Sequence, residues 1–233
     1  MPDQHTGAAP ELSPGGEGLD VRAGFIAPEL AREFPGLRLA WLVCRARPRP
    51  SPPDLRQRLM SLSNRFRGAS VVALRTQPIP HAYRAFYRQI GLDPDSDRVP
   101  IERAATARLM DGQFRSRGLV EDALLIALVE TGVPVWALDS DHVGAGGLGI
   151  RLSLDGEALG AGELAMRLPA QRLVVADAQR AHALLFGPLA RGREISARTR
   201  SLMLFSVGVA GVPAIHVQEA LWLAAEALAS TRS

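Results

Sequence analysis

Arginine is the only strongly basic residue in this sequence, and its distribution along the chain is uneven. Residues 31–92 hold twelve arginines against two acids, Glu33 and Asp54, whereas residues 93–233 hold fourteen arginines against seventeen acids. Because guanidinium groups pair with phosphates, a basic block of this kind can neutralise the backbone of a nucleic acid. A solvated arginine face explains the block equally well. The absence of lysine excludes a Walker-type phosphate lysine and Schiff-base chemistry.

Three segments supply candidate RNA contacts, and a pI of about 9.9 favours an RNA partner. Residues 81–90, HAYRAFYRQI, combine arginines with aromatic rings, as proteins that bind single-stranded RNA do. A helix that packs its aromatic side inward explains this segment equally well. No pattern indicates sequence-specific recognition of DNA. The candidates are Arg45, Arg47 and Arg49 in RARPRPSPP, Arg84 and Arg88 in residues 81–90, and Arg191 and Arg193 in a later basic loop.

Two stretches match part of a binding motif but lack the rest of it. Residues 144–149 have the G-x-G-x-x-G spacing, yet a strand rather than a helix is predicted to follow, so we interpret them as a turn. Residues 93–97 begin like a calcium loop. The required glycine and glutamate are replaced by Arg98 and Ala104, which excludes calcium binding of this kind.

Other chemistry-bearing residues are few. Asp139, Asp141 and His142 are close in sequence, but no paired histidine spacing supports a metal site, and we expect neither a metal nor a cofactor. No G-x-S-x-G elbow or S-x-x-K motif indicates a nucleophile. Cys44, the single cysteine, lies in an apolar run and is expected to be a buried structural thiol rather than a nucleophile. Because it cannot form an internal disulfide, we expect a reducing, cytoplasmic location.

The elements that must position these residues are organised around residues 119–157. Apolar residues there recur with the period of a helix, which Gly132 and Pro134 end before a strand begins. Helices are predicted at residues 54–66 (with Asp54 as its cap), 81–90, 98–110, 119–131 and 215–229. Strands are predicted at residues 37–43, 71–74, 133–138, 150–154, 163–168, 173–176 and 202–209.

This order of elements predicts an α+β fold, in which mixed β-sheets are covered by helices, because helices come early and strands late. Residues 1–20 are rich in glycine, proline and acids, and we expect them to be a disordered tail. Residues 21–233 are expected to form a single domain. The longest uncharged run, residues 201–215, is too short to span a membrane.

A family resemblance is carried by three segments: VEDALLIALVETGVPVWALD (120–139), GGLGIRLSLDGE (146–157) and LVVADAQRAHALLFGP (173–188). It continues more weakly through residues 195–204. In this order they resemble the B3/B4 domain of the phenylalanyl-tRNA synthetase β chain. That domain binds and edits aminoacyl-tRNA. The resemblance covers residues 84–205, about half of the chain, and implies a layered B3/B4-like fold.

The resemblance also implies where a pocket would lie. Gly187 and Thr199 match a glycine and a threonine that shape the family's editing site. Three positions depart from the family pattern: Leu125 replaces an asparagine, Trp136 a histidine and Phe205 the glutamate that reads the tyrosine hydroxyl of a mischarged product. These departures retain the scaffold and argue against tyrosine editing itself.

The leading hypothesis is therefore a freestanding protein that binds tRNA or aminoacyl-tRNA, with deacylation in trans as the reaction that the resemblance implies. The chain has no room for the catalytic and anticodon domains of a synthetase, so we expect that it cannot charge tRNA. The alternative is a non-catalytic module that binds RNA or an amino-acid-like ligand. A third hypothesis is a structural partner protein whose pocket has decayed.

Overall fold

The computed structural model describes residues 19–66 and 68–229, and these residues form an α+β fold, as the sequence predicts. The predicted tail lies outside the described residues, apart from Leu19 and Asp20. The helices are α1 (Pro28–Glu33), α2 (Pro53–Arg65), α3 (Gly68–Ala73), α4 (Pro78–Gln89), α5 (Pro100–Asp111), α6 (Leu119–Thr131) and α7 (Ala214–Ala229). The strands are β1 (Arg22–Ala23), β2 (Phe25–Ile26), β3 (Arg38–Arg45), β4 (Val135–Asp139), β5 (Gly149–Leu152), β6 (Ala158–Leu159), β7 (Met166–Arg167), β8 (Leu173–Ala176), β9 (Ala181–Leu184) and β10 (Ser201–Gly208).

Two four-stranded sheets carry the fold. The first sheet has the order β1-β3-β10-β4 and is antiparallel throughout, with the long strands β3 and β10 at its centre. The second sheet has the order β2-β5-β8-β9, in which only the β2–β5 pair is parallel. Strands β6 and β7 form a separate hairpin. The sheets are therefore mixed and antiparallel, and the chain is not a doubly wound α/β protein.

Helices cover one face of the first sheet. α7 packs across β3, β10 and β4, and α6 packs on α7 and β4. A side chain at Gly208 would collide with Val217 of α7, so the closing helix fits here only because the strand lacks a Cβ atom. Among the described residues, no helix combines the length and apolar character that a membrane crossing requires.

An aromatic row lies on the opposite face of the first sheet. Trp41 on β3 and Trp136 on β4 are each paired with Phe205 on β10, so the three side chains share one face. The rings of Trp136 and Phe205 stack with centroids 5.4 Å apart. Gly147 approaches Trp41 so closely that a Cβ atom would overlap the indole, which is why the glycine-rich loop can reach β5. This glycine serves packing, not phosphate binding.

Several predicted elements are wrong. Residues 71–74 form the end of α3 and a 3₁₀ turn instead of a strand, because no sheet lies beside Val72, which is 76% exposed. β-Propensity without a neighbouring strand does not make a strand. Residues 163–168 contain a 3₁₀ turn and only the two-residue β7. Asp54 lies in the first turn of α2 and does not cap it. Strands β1, β2, β6 and β9 and helix α1 were not predicted.

Asp177 fixes the turn between β8 and β9. Its side chain is 2% exposed and accepts hydrogen bonds from the backbone amides of Gly144, Gln179 and Arg180. His182 Nε2 lies 2.8 Å from the same carboxylate. Burial alone would raise the pKa of Asp177, but these hydrogen bonds lower it to about 2. The carboxylate therefore joins the β8–β9 turn to the glycine-rich loop.

We predict that Asp177→Asn lowers the free energy of unfolding by about 2 kcal/mol at pH 7, because an amide cannot accept all four hydrogen bonds. The folded pKa lies below the unfolded value of about 3.9, so this stabilisation is complete well above that value and is lost as the pH falls through about 2. Urea unfolding at pH 7 and at pH 3 measures both effects. Asp155→Asn, at an exposed position, is the matched control. Equal stability of the Asp177→Asn variant and the wild type at pH 7 would contradict this role.

Candidate functional site

A cavity of about 440 Å³ lies between α5, α6 and the end of β9, and we name it the α5–α6 cavity. Leu125 on α6, Trp136 on β4 and Gly187 after β9 all line it. Each of the three is half-buried, as expected for a wall residue. Three of the five pocket candidates chosen from the sequence are thus brought together, although they come from three separate elements.

The other two candidates, Thr199 and Phe205, do not line this cavity. Phe205 is 1% exposed and lies beneath the indole of Trp136 in the aromatic row. The Thr199 hydroxyl donates to the carboxylate of Asp139 and accepts from the amide of Ser196, so it braces the loop before β10. Neither side chain therefore lines the α5–α6 cavity. Both were chosen by position in the chain, which does not indicate which side of a strand or loop faces a cavity.

Phe186 forms the wall beside Gly187. Its ring contacts the rings of Tyr83, Phe86, Tyr87 and Trp136, with centroid distances of 5.2 to 5.9 Å. Its φ of 58° is a left-handed conformation that favours glycine, and holding a bulky residue there costs about 1–3 kcal/mol. The aromatic contacts hold this ring in place. The sequence had no signal for it, since LLFGP is typical of the end of an apolar strand.

Asp122 organises the mouth of the α5–α6 cavity. Its buried carboxylate accepts hydrogen bonds from the hydroxyls of Ser51 and Ser116 and from the amide of Arg117. The amide of Leu119 also donates to the carbonyl of Arg49, at 2.8 Å. The proline-rich connector (residues 46–52) and the loop 112–118 are therefore both fastened to the first turn of α6.

Four arginines that were not among the candidates from the sequence also line the α5–α6 cavity. They are Arg103, Arg108, Arg115 and Arg117. Arg108 donates to the carbonyl of Ser63, and Arg115 pairs with Asp111 at 3.0 Å. The signal for the loop pair was present in DGQFRSRG, where two arginines stand between glycines, but only the Asp122 contacts place that loop beside the cavity.

The predicted RNA contacts divide into exposed and buried arginines. The exposed ones are Arg45, Arg47, Arg49, Arg88 and Arg191. Arg84 is not among them, because its guanidinium is 7% exposed and bonds Glu102 and Asp95. The guanidinium of Arg84 is thus engaged inside the protein and does not belong to the exposed arginine surface.

Arg193 differs from the other members of the RNA set. Its Nη1 atom is buried and has no hydrogen-bond partner among the described residues. Burial, together with the charge of Arg180, lowers its pKa, while Asp177 opposes the shift. The guanidinium is therefore turned at least partly away from solvent, and Arg193 is a weaker candidate for a phosphate contact than its neighbour Arg191.

The acidic side chain of Asp139, at the end of β4, makes hydrogen bonds that stabilise the local structure. Asp139 accepts from the amide of Asp141 at 3.1 Å and from the Thr199 hydroxyl, which fixes the exit from the strand. No group of three or more histidine, cysteine or acidic residues in residues 19–66 and 68–229 has the geometry of a metal site.

No family model matches this chain, and no curated protein matches it either. The chemistry of the α5–α6 cavity therefore has to be judged from its own residues. Apolar and aromatic walls beside several arginines can bind an apolar group that is attached to an anion. Among the described residues that line the cavity, none is a serine, threonine, cysteine or histidine, so the lining offers no hydroxyl, thiol or imidazole nucleophile; its carboxylates are those of Asp111, Glu121 and Asp122.

We predict that Arg84→Met lowers the free energy of unfolding by about 3–5 kcal/mol, because it leaves the Glu102 carboxylate, which is 6% exposed, without its counter-charge. The double variant Arg84→Met/Glu102→Met should recover most of that loss. Thermal and urea unfolding of both variants measure the effect. If the single variant kept full stability but lost RNA binding, Arg84 would be a residue that contacts RNA and not a structural one.

Proposed function

We propose that this protein binds aminoacyl-tRNA, with the aminoacyl group in the α5–α6 cavity and the RNA backbone on the arginines around its mouth. The proposal is supported chiefly by one observation: Leu125, Trp136 and Gly187 line a single cavity that four arginines also reach. The resemblance to the synthetase editing domain points to the same three residues. A volume of about 440 Å³ falls within the range of small-molecule pockets and suits one amino-acid side chain.

The walls of the cavity favour an apolar aminoacyl group. Trp136 and Phe186 present aromatic surface, and Leu125 stands where the family has a polar residue. The carboxylate of Asp122 already accepts three hydrogen bonds, and Asp111 is paired with Arg115, so both are poor acceptors for a further hydroxyl. Glu121, the third acid of the lining, is exposed to solvent. A buried hydroxyl without a partner costs about 1–3 kcal/mol. A tyrosyl group should therefore bind less well than a phenylalanyl or aliphatic group.

The RNA partner is supported by two arginine-bearing segments that meet at the first turn of α6. The connector carries Arg47 and Arg49, and the loop 112–118 carries Arg115 and Arg117. The Asp122 hydrogen bonds and the Leu119–Arg49 bond hold the two segments together. Arginines from both can then contact successive phosphates of one strand, at an affinity that depends on salt.

Deacylation in trans is the reaction we propose for this site. Aminoacyl esters are activated, so hydrolysis needs an oriented ester and a positioned water more than a side-chain nucleophile. The lining without a serine, threonine, cysteine or histidine favours the second candidate, a module that binds without hydrolysis. A panel of tRNAs carrying correct and incorrect amino acids decides between them. If the protein makes the ester hydrolyse faster than it does without protein, the protein is a deacylase. If the tRNAs bind saturably but the rate of hydrolysis is unchanged, it is a binding module. With a tRNA partner and a single cysteine, we expect the protein to act in the cytoplasm.

We predict that Arg115→Gln/Arg117→Gln weakens tRNA binding and reduces the slope of log K against log salt by about one unit for each phosphate that the variant no longer neutralises. The variant Arg45→Gln/Arg47→Gln/Arg49→Gln, at the end of β3 and in the connector, should do the same and is called the connector variant. Filter binding at several salt concentrations measures both slopes.

The control for both variants is Arg167→Gln, an exposed arginine on the β6–β7 hairpin, which should keep the wild-type slope. If the loop and connector variants also keep that slope, these segments lie outside the interface and the proposed RNA path is wrong.

We predict that Trp136→Leu reduces the preference of the protein for a phenylalanyl over a leucyl group. The substitution removes an aromatic wall of the cavity, while Phe205 behind it remains buried. Relative binding of phenylalanyl- and leucyl-tRNA to the wild type and the variant is the measurement, and a shift of about tenfold corresponds to about 1.4 kcal/mol. Leu124→Ala, a half-buried neighbour on α6 outside the cavity lining, is the control for loss of stability. Identical selectivity of variant and wild type would remove Trp136 from the aminoacyl site.

A further inference from the structure

A second and larger cavity lies on the other side of Phe186. Its volume is about 990 Å³, and we name it the α1–β9 cavity because it extends from α1 to the end of β9. Arg103, Phe186 and Gly187 line both cavities and form the wall between them. The remaining lining comes chiefly from α1, the end of α4, and strands β5, β8 and β9. The proposed aminoacyl site makes no use of this space.

The α1–β9 cavity has an apolar floor. Leu152 on β5 and Leu173 on β8 are paired and share one face of the second sheet, and Leu185, directly after β9, lines the cavity beside them. Leu30 and Phe34 come from α1 and its end. Leu152 and Leu173 are half-buried. Apolar surface of this extent can bind a hydrocarbon chain or a ring.

Arginines stand at the edge of this floor. Arg98, Arg103 and Arg172 line the cavity, and none of the three forms an ion pair with a carboxylate in the described part of the chain. Glu33 and Asp97 line it too. Three arginines against two acids leave one positive charge in excess, which suits a monoanion better than a dianion.

Tyr87 adds a hydroxyl whose proton has no acceptor among residues 19–66 and 68–229. The residue lines the cavity and is 1% exposed, and no described residue accepts a hydrogen bond from its hydroxyl. Burial raises the pKa of this hydroxyl to about 12, with the nearby guanidinium of Arg103 opposing the shift, so it stays a neutral donor. A buried hydroxyl that lacks an acceptor destabilises a protein, and a molecule bound at this cavity wall can supply the acceptor.

Backbone strain is concentrated at the same cavity. Gln171 and Phe186 are the two non-glycine residues with positive φ in the described chain, at 62° and 58°, and both line it. Such conformations persist only where the surroundings enforce them, and they cluster at binding sites. For Phe186 the surroundings are four aromatic rings, which hold the strained residue against the cavity.

We propose that the α1–β9 cavity is a separate binding site for an amphipathic carboxylate, an apolar chain or ring that ends in one negative charge. The apolar part lies on Leu152, Leu173 and Leu185. The carboxylate is held by Arg98, Arg103 and Arg172, and the Tyr87 hydroxyl donates to it. This site is independent of the proposed aminoacyl-tRNA function, because its floor and two of its three arginines do not belong to the α5–α6 cavity.

The test uses the fluorescent monoanion 1-anilinonaphthalene-8-sulfonate as the probe and the full chain as the protein. The probe should bind saturably, and octanoate should displace it whereas uncharged octanol at the same concentration should not. The variant Arg98→Gln/Arg172→Gln should weaken octanoate binding about tenfold or more, since each hydrogen bond to a charged group contributes strongly. Added salt should weaken binding to the wild type.

Two further variants separate this site from its alternatives. Arg115→Gln/Arg117→Gln changes only the α5–α6 cavity and should leave octanoate binding unchanged. Tyr87→Phe should weaken octanoate binding without lowering Tm, which a purely structural hydroxyl would not do. Displacement by octanol as effective as by octanoate, or a loss of binding in the loop variant instead of the Arg98/Arg172 variant, would overturn the proposal. Failure of tRNA binding would leave it standing.

Discussion

The candidate site depends on the hydrogen bonds that the buried carboxylate of Asp122 accepts. A carboxylate in this position is stable only if donors surround it, and it receives three from Ser51, Ser116 and Arg117. It also lies in the first turn of α6, where the helix dipole favours a negative charge. Two segments that are far apart in the chain are thereby fixed beside one helix. The Leu119–Arg49 bond and the bond from the Phe114 amide to Ser63 support the same arrangement.

The aromatic groups divide the interior into two cavities. The row formed by Trp41, Phe205 and Trp136 covers one face of the first sheet, and Phe186 packs edge-on against Trp136. The backbone cost of Phe186 is offset because its ring contacts four others, each worth about 0.5–1.5 kcal/mol beyond its burial. Glycine at this position would relieve the strain and, because it has no ring, would join the two cavities. The separation of the two cavities therefore depends largely on Phe186, beside Arg103 and Gly187.

Arginine has several distinct roles in a chain that contains no lysine. Arg84 joins α4 to α5 through a buried ion pair, and Arg151 pairs with Glu157 across the turn after β5. The pKa of Arg151 is raised chiefly by its hydrogen bonds to Glu157. Other arginines line the two cavities or lie on the surface. The net charge of a segment therefore overstates how many of its guanidinium groups are free for a ligand.

Much of the architecture could be predicted from local pattern. The helical period and the Gly132–Pro134 stop predicted α6 and the strand after it, and the apolar runs predicted β3 and β10. These elements are long, and their apolar faces are buried in most environments, so local signals agree with the tertiary outcome. Short strands such as β1, β2 and β9 were missed because pairing with a neighbour, rather than composition, makes them strands.

The sequence by itself determined the α+β class and the apolar character of the segments that line the cavities. Because the chain contains no lysine, it also determined that arginine is the strongly basic side chain at any anion site. Only the tertiary structure decided which residues meet. Leu125, Trp136 and Gly187 come together because α6, β4 and the end of β9 converge, whereas Phe205 is turned beneath Trp136 by the strand register. Arg84 is withdrawn from the surface by Glu102, a partner eighteen residues away. Side-chain direction and long-range pairing are properties of the packed sheet and helices, and no local stretch of sequence contains them.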